Sequence, residues 1–255
     1  MARKPRIDLV GFHHVANQGV YKANIFATIL EKEKFLNIVC KACETYHITL
    51  HAYCIMDNHY HLLLETKREN LSYFMRQING NYAIYFNKKQ ERTGPLWRGR
   101  YKSWYIMHEE YLEYTIKYIE YDPIKANLTF FPGDYPYTLS AAILGTETLI
   151  PCARHSLMIE KFTERELKQF LRSDLTRDEL GALEDEKRKK VTKEKNGIKV
   201  DRSKPLESYF EQIESKEARN NAMRAAYLDG YTQGEIARHL GVTSALVSYC
   251  IKKSS

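Results

Sequence analysis

Hydrophobic and polar positions along residues 9–123 switch between a period near two and a period near 3.6, and each switch marks an element. LVGFHHVANQ (9–18) alternates loosely and predicts a strand. Between 24 and 46, Ile25, Ile29, Leu30, Phe35, Leu36, Val39 and Cys43 fall along one helical stripe. ITLHAYCIM (48–56) and HYHLLLET (59–66) predict a hairpin turned at Asp57 and Asn58, whose short polar side chains suit a tight reversal. LSYFMRQINGNYAIYFNKK (71–89) reads as a second amphipathic helix and RGRYKSWYIM (98–107) as a strand carrying basic residues. EEYLEYTIKYIEYDP (109–123) predicts a third helix, stopped by Pro123. The order β-α-β-β-α-β-α suits an α+β, ferredoxin-like antiparallel sheet with helices on one face and the other face open.

Beyond residue 150 the pattern changes. Residues 160–202 are highly charged, and EDEKRKKVTKEKNG (184–197) is almost devoid of large apolar side chains. Three regions follow: a domain over 1–150, a charged helical connector over 151–204, and an ordered all-α tail over 205–255. The tail reads as a helix-turn-helix. Thr232 with Glu235 forms a capping box, Gly241 turns the chain and Thr243 caps the last helix. Leu246, Val247 and Ile251 supply that helix's buried anchors. Ser244, Ala245, Ser248, Tyr249 and Lys252 would then face outward, toward a duplex DNA groove or toward a dimer partner.

Charge and composition narrow the partners. The 255 residues carry a net charge of +7 and include 19 tyrosines. Cations mixed with aromatic rings match what single-stranded nucleic acid requires, phosphates needing charge and unpaired bases needing flat faces. No apolar run approaches the roughly 20 residues that span a bilayer. The start, MARKPRIDLVGFHH, lacks a secretory pattern, so a cytoplasmic, nucleoid-associated protein without membrane contact is expected. Cys40 and Cys43 form a C-x-x-C inside a helical pattern, with no second pair at zinc-site spacing. All five cysteines are expected as structural thiols in a reducing compartment.

The candidate chemistry lies in DNHYHLLLE (57–65). Residues i and i+2 of a strand point the same way, so His59 and His61 present two imidazoles on one face while Tyr60 points to the other. Such a pair begins a divalent-metal site that oxygen ligands complete; two hydrogen-bonded, half-buried histidines is the blander reading. Tyr118 and Asp122, four apart on the third helix, share a helical face. Asp122 could donate a carboxylate oxygen while Tyr118 aims a hydroxyl at whatever the metal holds. Arg98, Arg100 and Lys102 alternate on one face of their predicted strand and are candidates for phosphate contacts. Trp97 and Trp104 could stack bases or pack in the core.

Together DNHYHLLLE, GPLWRGRYKSWYI and KYIEYDPIKA resemble the single-tyrosine HUH transposases, in particular the REP-associated tyrosine, IS200-like branch. The resemblance covers roughly residues 8–140. It implies that His59-Tyr60-His61 is the metal-binding strand motif, that Tyr118 is the nucleophile, and that Asp122 stands where the family usually has Asn or Gln. His14 and Val15 match the family's early motif, with Gln18 where arginine is common. The implied activity uses Mg²⁺ or Mn²⁺ to cut single-stranded DNA beside a hairpin, through a 5′-phosphotyrosine. A hydrolytic metallonuclease and a repressor with an inactive catalytic domain are the competing readings. Monomer and homodimer stay open, since tyrosine helices of such enzymes can be exchanged between subunits.

Overall fold

The computed structural model describes residues 8–253 except 109, 146, 174, 189, 195, 196, 203, 212 and 214. The chain divides into two compact units, residues 1–183 and 184–255.

In the first unit, β1 (Gly11–Gln18), β2 (Ile48–Ile55), β3 (His59–Thr66) and β4 (Lys102–Ile106) form one antiparallel sheet in the order β2-β3-β1-β4. Helix α1 (Ile29–Tyr46) follows β1 and α2 (Leu71–Lys89) follows β3, which completes the expected ferredoxin-like order. The α1 start is set by a capping box between Thr28 and Glu31. It lies five residues after the predicted start, so Ile25 is buried ahead of the helix while Ile29 and Leu30 are exposed.

Alternation along β3 sorts the two faces of the sheet. Tyr60 points toward α1 and α2, where it meets Phe26, Phe35 and Trp97, and its hydroxyl donates to Asn79 Oδ1 at 2.8 Å. Phe26 and Tyr82 stack in the same cluster. Burying aromatic side chains of this size supplies much of a core's stabilisation. Trp97 is therefore a packing residue, and its indole N–H is satisfied by the Asn79 carbonyl at 2.9 Å.

The other face is not open, as the sequence pattern suggested. It receives α3 (Glu110–Glu120) and the short α4 (Asp122–Lys125). The segment after α4 then lines the β2 edge. Tyr137 accepts a backbone bond from Ile55, Cys54 bridges Thr138, and α5 (Leu139–Ile143) buries Leu139, Ala141 and Ala142.

The predicted connector is also part of this unit down to Leu183. A bulge in β2 turns His51, which accepts from the Leu157 amide at the start of α6 (Leu157–Lys161). Ser156 Oγ donates to the His51 carbonyl at 2.7 Å. Helix α7 (Glu164–Arg172) buries Leu167 and Leu171, and α8 (Arg177–Arg188) buries Leu183. Cys40 and Cys152, expected as thiols, form a disulfide with their Cα atoms 5.0 Å apart, joining α1 to this segment. Cys43 and Cys54 are free and buried, and Cys250 is buried.

In the second unit, β5 (Lys190–Glu194) and β6 (Gly197–Asp201) pair as a hairpin where a solvated connector was expected. Three helices follow: α9 (Lys216–Leu228), α10 (Gln233–Leu240) and α11 (Ser244–Lys253). The Thr232–Glu235 capping box is present, and Gly241 ends α10 at φ 66, a conformation that costs glycine little. Met223, Ala226, Ile236, Ala237, Val247, Cys250 and Ile251 close the core. Leu246, expected as an anchor, is partly exposed. Among the described residues no helix is long and apolar enough to cross a membrane.

Candidate active site

The strand β3 carries His59 and His61 on the face that meets α3 and α4. Asp122 begins α4 with Pro123 in its first turn, a position where proline's missing N–H costs nothing. The backbone stays helical through Tyr121, so Tyr118 and Asp122 keep a common face. Asp122 Oδ2 accepts from His59 Nε2 at 2.9 Å. One ligand atom each from His59, His61 and Asp122 lie within 4.8 Å of one another. Tyr118 stands beside them in the same chain, its ring centroid 5.9 Å from His61 and 5.8 Å from His14.

The imidazoles are held by their other nitrogens. His59 Nδ1 lies 2.5 Å from Asn58 Oδ1; the tautomer that presents His59 Nε2 to a metal has Nδ1–H donating to Asn58. His61 Nδ1 lies 2.9 Å from Nε2 of His14, a buried residue of β1. The tautomer that presents His61 Nε2 to a metal has Nδ1–H donating to His14. Register places His14 on the His61 face, since Ala16 pairs with His61 and His14 shares the parity of Ala16.

Burial works to raise the Asp122 carboxyl, but the His59 hydrogen bond and both nearby imidazoles outweigh it and hold the group below the usual carboxylate range. Two imidazole nitrogens and an ionised carboxylate are a donor set that suits a divalent cation. Lys125 Nζ sits 4.1 Å from the Tyr118 ring centroid, within cation–π range. Desolvation lowers the pKa of this ammonium, an effect Asp122 partly offsets.

Side-chain bonds tie α3 and the residue after it to their surroundings. Buried Glu120 accepts from the Ser140 hydroxyl and amide, and burial pushes its carboxyl up to about 7 against those bonds. Tyr121 donates to the Leu171 carbonyl of α7.

The basic candidates separate. Lys102 pairs with Ala16 and so lies on the histidine face with Trp104, whose ring packs 4.9 Å from His14. Arg98 and Arg100 are not on the strand, because β4 begins only at Lys102 and Gly99 turns the backbone at φ 147. Arg98 is held at the His59 end of the sheet, its amide donating to Gln18 O at 2.8 Å and its guanidinium to Gln18 Oε1 at 3.4 Å. Arg100 lines a hollow of about 730 Å³ with Arg76, Asn79 and Trp97, on the α2 side. On α11, Ser244, Ala245 and Tyr249 are exposed and Ser248 is half-buried; the Lys252 side chain lies outside the described residues. His14, Asn58 and Lys125 were not assigned site roles from sequence. Strand parity with His61 would have found His14, and the (i, i+7) spacing from Tyr118 would have found Lys125.

Residues 12–122 match the family model described as "Transposase IS200 like". A Haemophilus influenzae protein named as a REP-associated tyrosine transposase is 26% identical over 117 residues, 41% of this chain and 66% of its own length. A solved structure described as a REP-associated tyrosine transposase bound to a REP hairpin has a TM-score of 0.47 at 16% identity, covering 60% of this chain and 90% of that one. Another, named as a transposase from Deinococcus radiodurans R1, has a TM-score of 0.34 at 19% identity, covering 47% and 96%. Over residues 12–122, less than half of its length, the chain is similar to the IS200-like transposases.

Proposed function

We propose that this chain cleaves and rejoins single-stranded DNA beside a hairpin, through a 5′-phosphotyrosine on Tyr118. One observation carries the reading: Tyr118, two oriented imidazoles and an ionised carboxylate meet within a single chain. His59, His61 and Asp122 would hold Mg²⁺ or Mn²⁺. Such an ion, when bound, withdraws charge from the scissile phosphate. Tyr118 Oη attacks phosphorus in line; the new O–P bond forms as the bond to the 3′-oxygen of the upstream nucleotide breaks. The phenol proton passes to solvent, and the departing oxygen takes up a proton to become a 3′-hydroxyl. A second 3′-hydroxyl reverses the exchange on another strand. One phosphodiester replaces another at each step, so no nucleotide triphosphate is consumed. Lys125 over the phenol ring places a positive charge beside the attacking group. Asn58 and His14 keep the two imidazoles turned toward the metal.

Lys102 on the histidine face and Arg98 at its His59 end are placed to take phosphates of the strand entering the site, while Arg100 serves the α2 side. The hairpin substrate class follows the REP-hairpin complex of the similar protein. The helix-turn-helix adds a duplex contact through Ser244, Ser248, Tyr249 and Lys252, and the setting is the nucleoid. The site needs no second protomer, which favours a monomer acting in cis.

The test is a denaturing gel of labelled single-stranded hairpin DNA incubated with Mn²⁺. A protein–DNA band that survives denaturation, and disappears in Tyr118→Phe, is expected. Cut DNA without the band points to hydrolysis by water. Neither product, together with duplex binding by the second unit, points to a repressor.

A further inference from the structure

Helix α7 lies beyond the family-matched residues and packs against the tyrosine helix. Tyr121 donates to the Leu171 carbonyl, and Lys117 donates to Ser173 Oγ at 2.8 Å while its ammonium lies 4.7 Å from the Phe170 ring centroid. Lys117 of α3 and Tyr121 just after it lie on either side of Tyr118 in the chain. The buried side of α7 is Leu167 and Leu171. Its outward side presents Arg165, Lys168 and Arg172, all exposed, at a spacing that aligns them along one helical face.

Those cations border two adjoining hollows. One, of about 590 Å³, is lined by Arg165, Lys168 and Arg172 together with Glu164 and Gln169. The other, of about 280 Å³, adds Phe131, Pro132 and Asp134 to Lys168 and Arg172. Phe131 is 63% exposed and its neighbour Phe130 is 88% exposed. Two consecutive phenylalanines in water, beside two carboxylates and three cations that have no ion-pair partner among the described residues, are a poor arrangement for a surface that contacts only solvent. They suit a polyanion with unpaired bases, phosphates meeting the cations and a base covering a ring. From Arg165 to Arg172 the helix rises about 10 Å, or roughly three stacked nucleotide steps at about 3.4 Å each.

We propose that α7 and the Phe130–Phe131 tip form a ledge for the unpaired DNA strand that flanks the hairpin, guiding it to or from Tyr118. The proposal rests on the strand-cleavage reading above and names a further contact surface for the same substrate. It assigns Arg165, Lys168 and Arg172 to phosphates, and Phe130 and Phe131 to base stacking.

The experiment measures binding by fluorescence anisotropy in the full chain, for a bare hairpin and for the same hairpin with an unpaired flank, across a salt series. Two variants are compared with wild type: R165Q/K168Q/R172Q, whose substitutions sit on an exposed helix face, and F130S/F131S. Wild type is expected to bind the flanked hairpin about tenfold more tightly than the bare one. The charge variant should lose that preference while keeping bare-hairpin affinity. Its salt dependence for the flanked hairpin should flatten by about 2, from roughly 0.7 per phosphate contact on a single strand. F130S/F131S should lose part of the preference without changing the salt slope. An unchanged preference in both variants, an equal loss for both DNAs, or no preference in wild type would each overturn the ledge. Absence of the phosphotyrosine band in wild type overturns the cleavage reading instead, whatever the binding shows.

Discussion

Glu120 offers a prediction whose size comes directly from its surroundings. It lies on α3 two residues from Tyr118, buried, with Oε2 bonded to Ser140 and Oε1 without a hydrogen-bond partner. Burial raises its pKa from 4.5 to about 7. At 1.36 kcal/mol per unit, that shift makes the ionised form about 3 kcal/mol less compatible with the fold than with the unfolded chain. The sign follows from proton binding. Below pH 4.5 both states are protonated and the group contributes nothing; between 4.5 and 7 only the folded state holds the proton, so stability falls as pH rises, and above 7 the loss is complete. Glu120→Gln removes this titration. It places an amide N–H where Oε1 has no partner, which costs on the order of 1 kcal/mol at every pH. Relative to wild type, the variant should be slightly less stable near pH 4.5 and about 2 kcal/mol more stable at pH 8. Urea titrations at several pH values, followed by tryptophan fluorescence, measure the difference. Both tryptophans, Trp97 and Trp104, belong to the first unit, so the signal reports that unit alone. Taking the difference cancels the titrations that the two proteins share. A gap between variant and wild type that stays flat from pH 4.5 to 8 would refute the reasoning.

Other outcomes follow from the same packing. His14→Ala should weaken Mn²⁺ affinity by about 10- to 100-fold, because His61 loses the acceptor that fixes its ring; isothermal titration calorimetry on the DNA-free protein reads this. Lys125→Met should slow phosphotyrosine formation at neutral pH by about tenfold, in line with roughly 1–2 kcal/mol for a cation over a partly desolvated ring, and Lys125→Arg should recover most of it. Reducing the Cys40–Cys152 bond, which spans 112 residues, should lower first-unit stability by about 2–4 kcal/mol, and Cys152→Ser should make stability insensitive to reductant. Thr232→Ala should destabilise the helix-turn-helix by about 1 kcal/mol through loss of its capping box, visible in its thermal melt by circular dichroism.

Much of the catalytic layer could be read from local signals. The hairpin of β2 and β3 and the whole of α2 lie where periodicity and turn chemistry put them, because each has a strong apolar face bounded by polar punctuation. The pairing of Tyr118 with Asp122 on one face was equally legible, since (i, i+4) spacing survives the proline in the first turn of α4. What failed to show were long-range partnerships. The charged stretch from 151 to 183 looked like a connector because its anchors, Ser156, Met158, Leu167 and Leu171, are spaced among many polar residues. Its attachment to the sheet runs through the His51 bulge and the Cys40–Cys152 bond, and neither has a local signature. The basic strand read over 98–107 was shortened by Gly99, whose positive φ ends the alternation that put Arg98, Arg100 and Lys102 on one face.

The two histidines of β3 are useful only because the residue between them is committed elsewhere. Tyr60 is fully buried among Phe26, Phe35 and Trp97, with its hydroxyl on Asn79, and a strand so anchored cannot slip by one residue without exposing that ring. The same packing that fills the core under α1 and α2 therefore fixes which way His59 and His61 point. Their remaining freedom, rotation about the side-chain bonds, is taken by Asn58 and His14. Asp122 and Tyr118 arrive from the opposite layer, on a helix held by Glu120 below and by Leu171 of α7 alongside. A site assembled this way is held on both sides, the imidazoles by the sheet and its core and the tyrosine helix by Ser140 and α7.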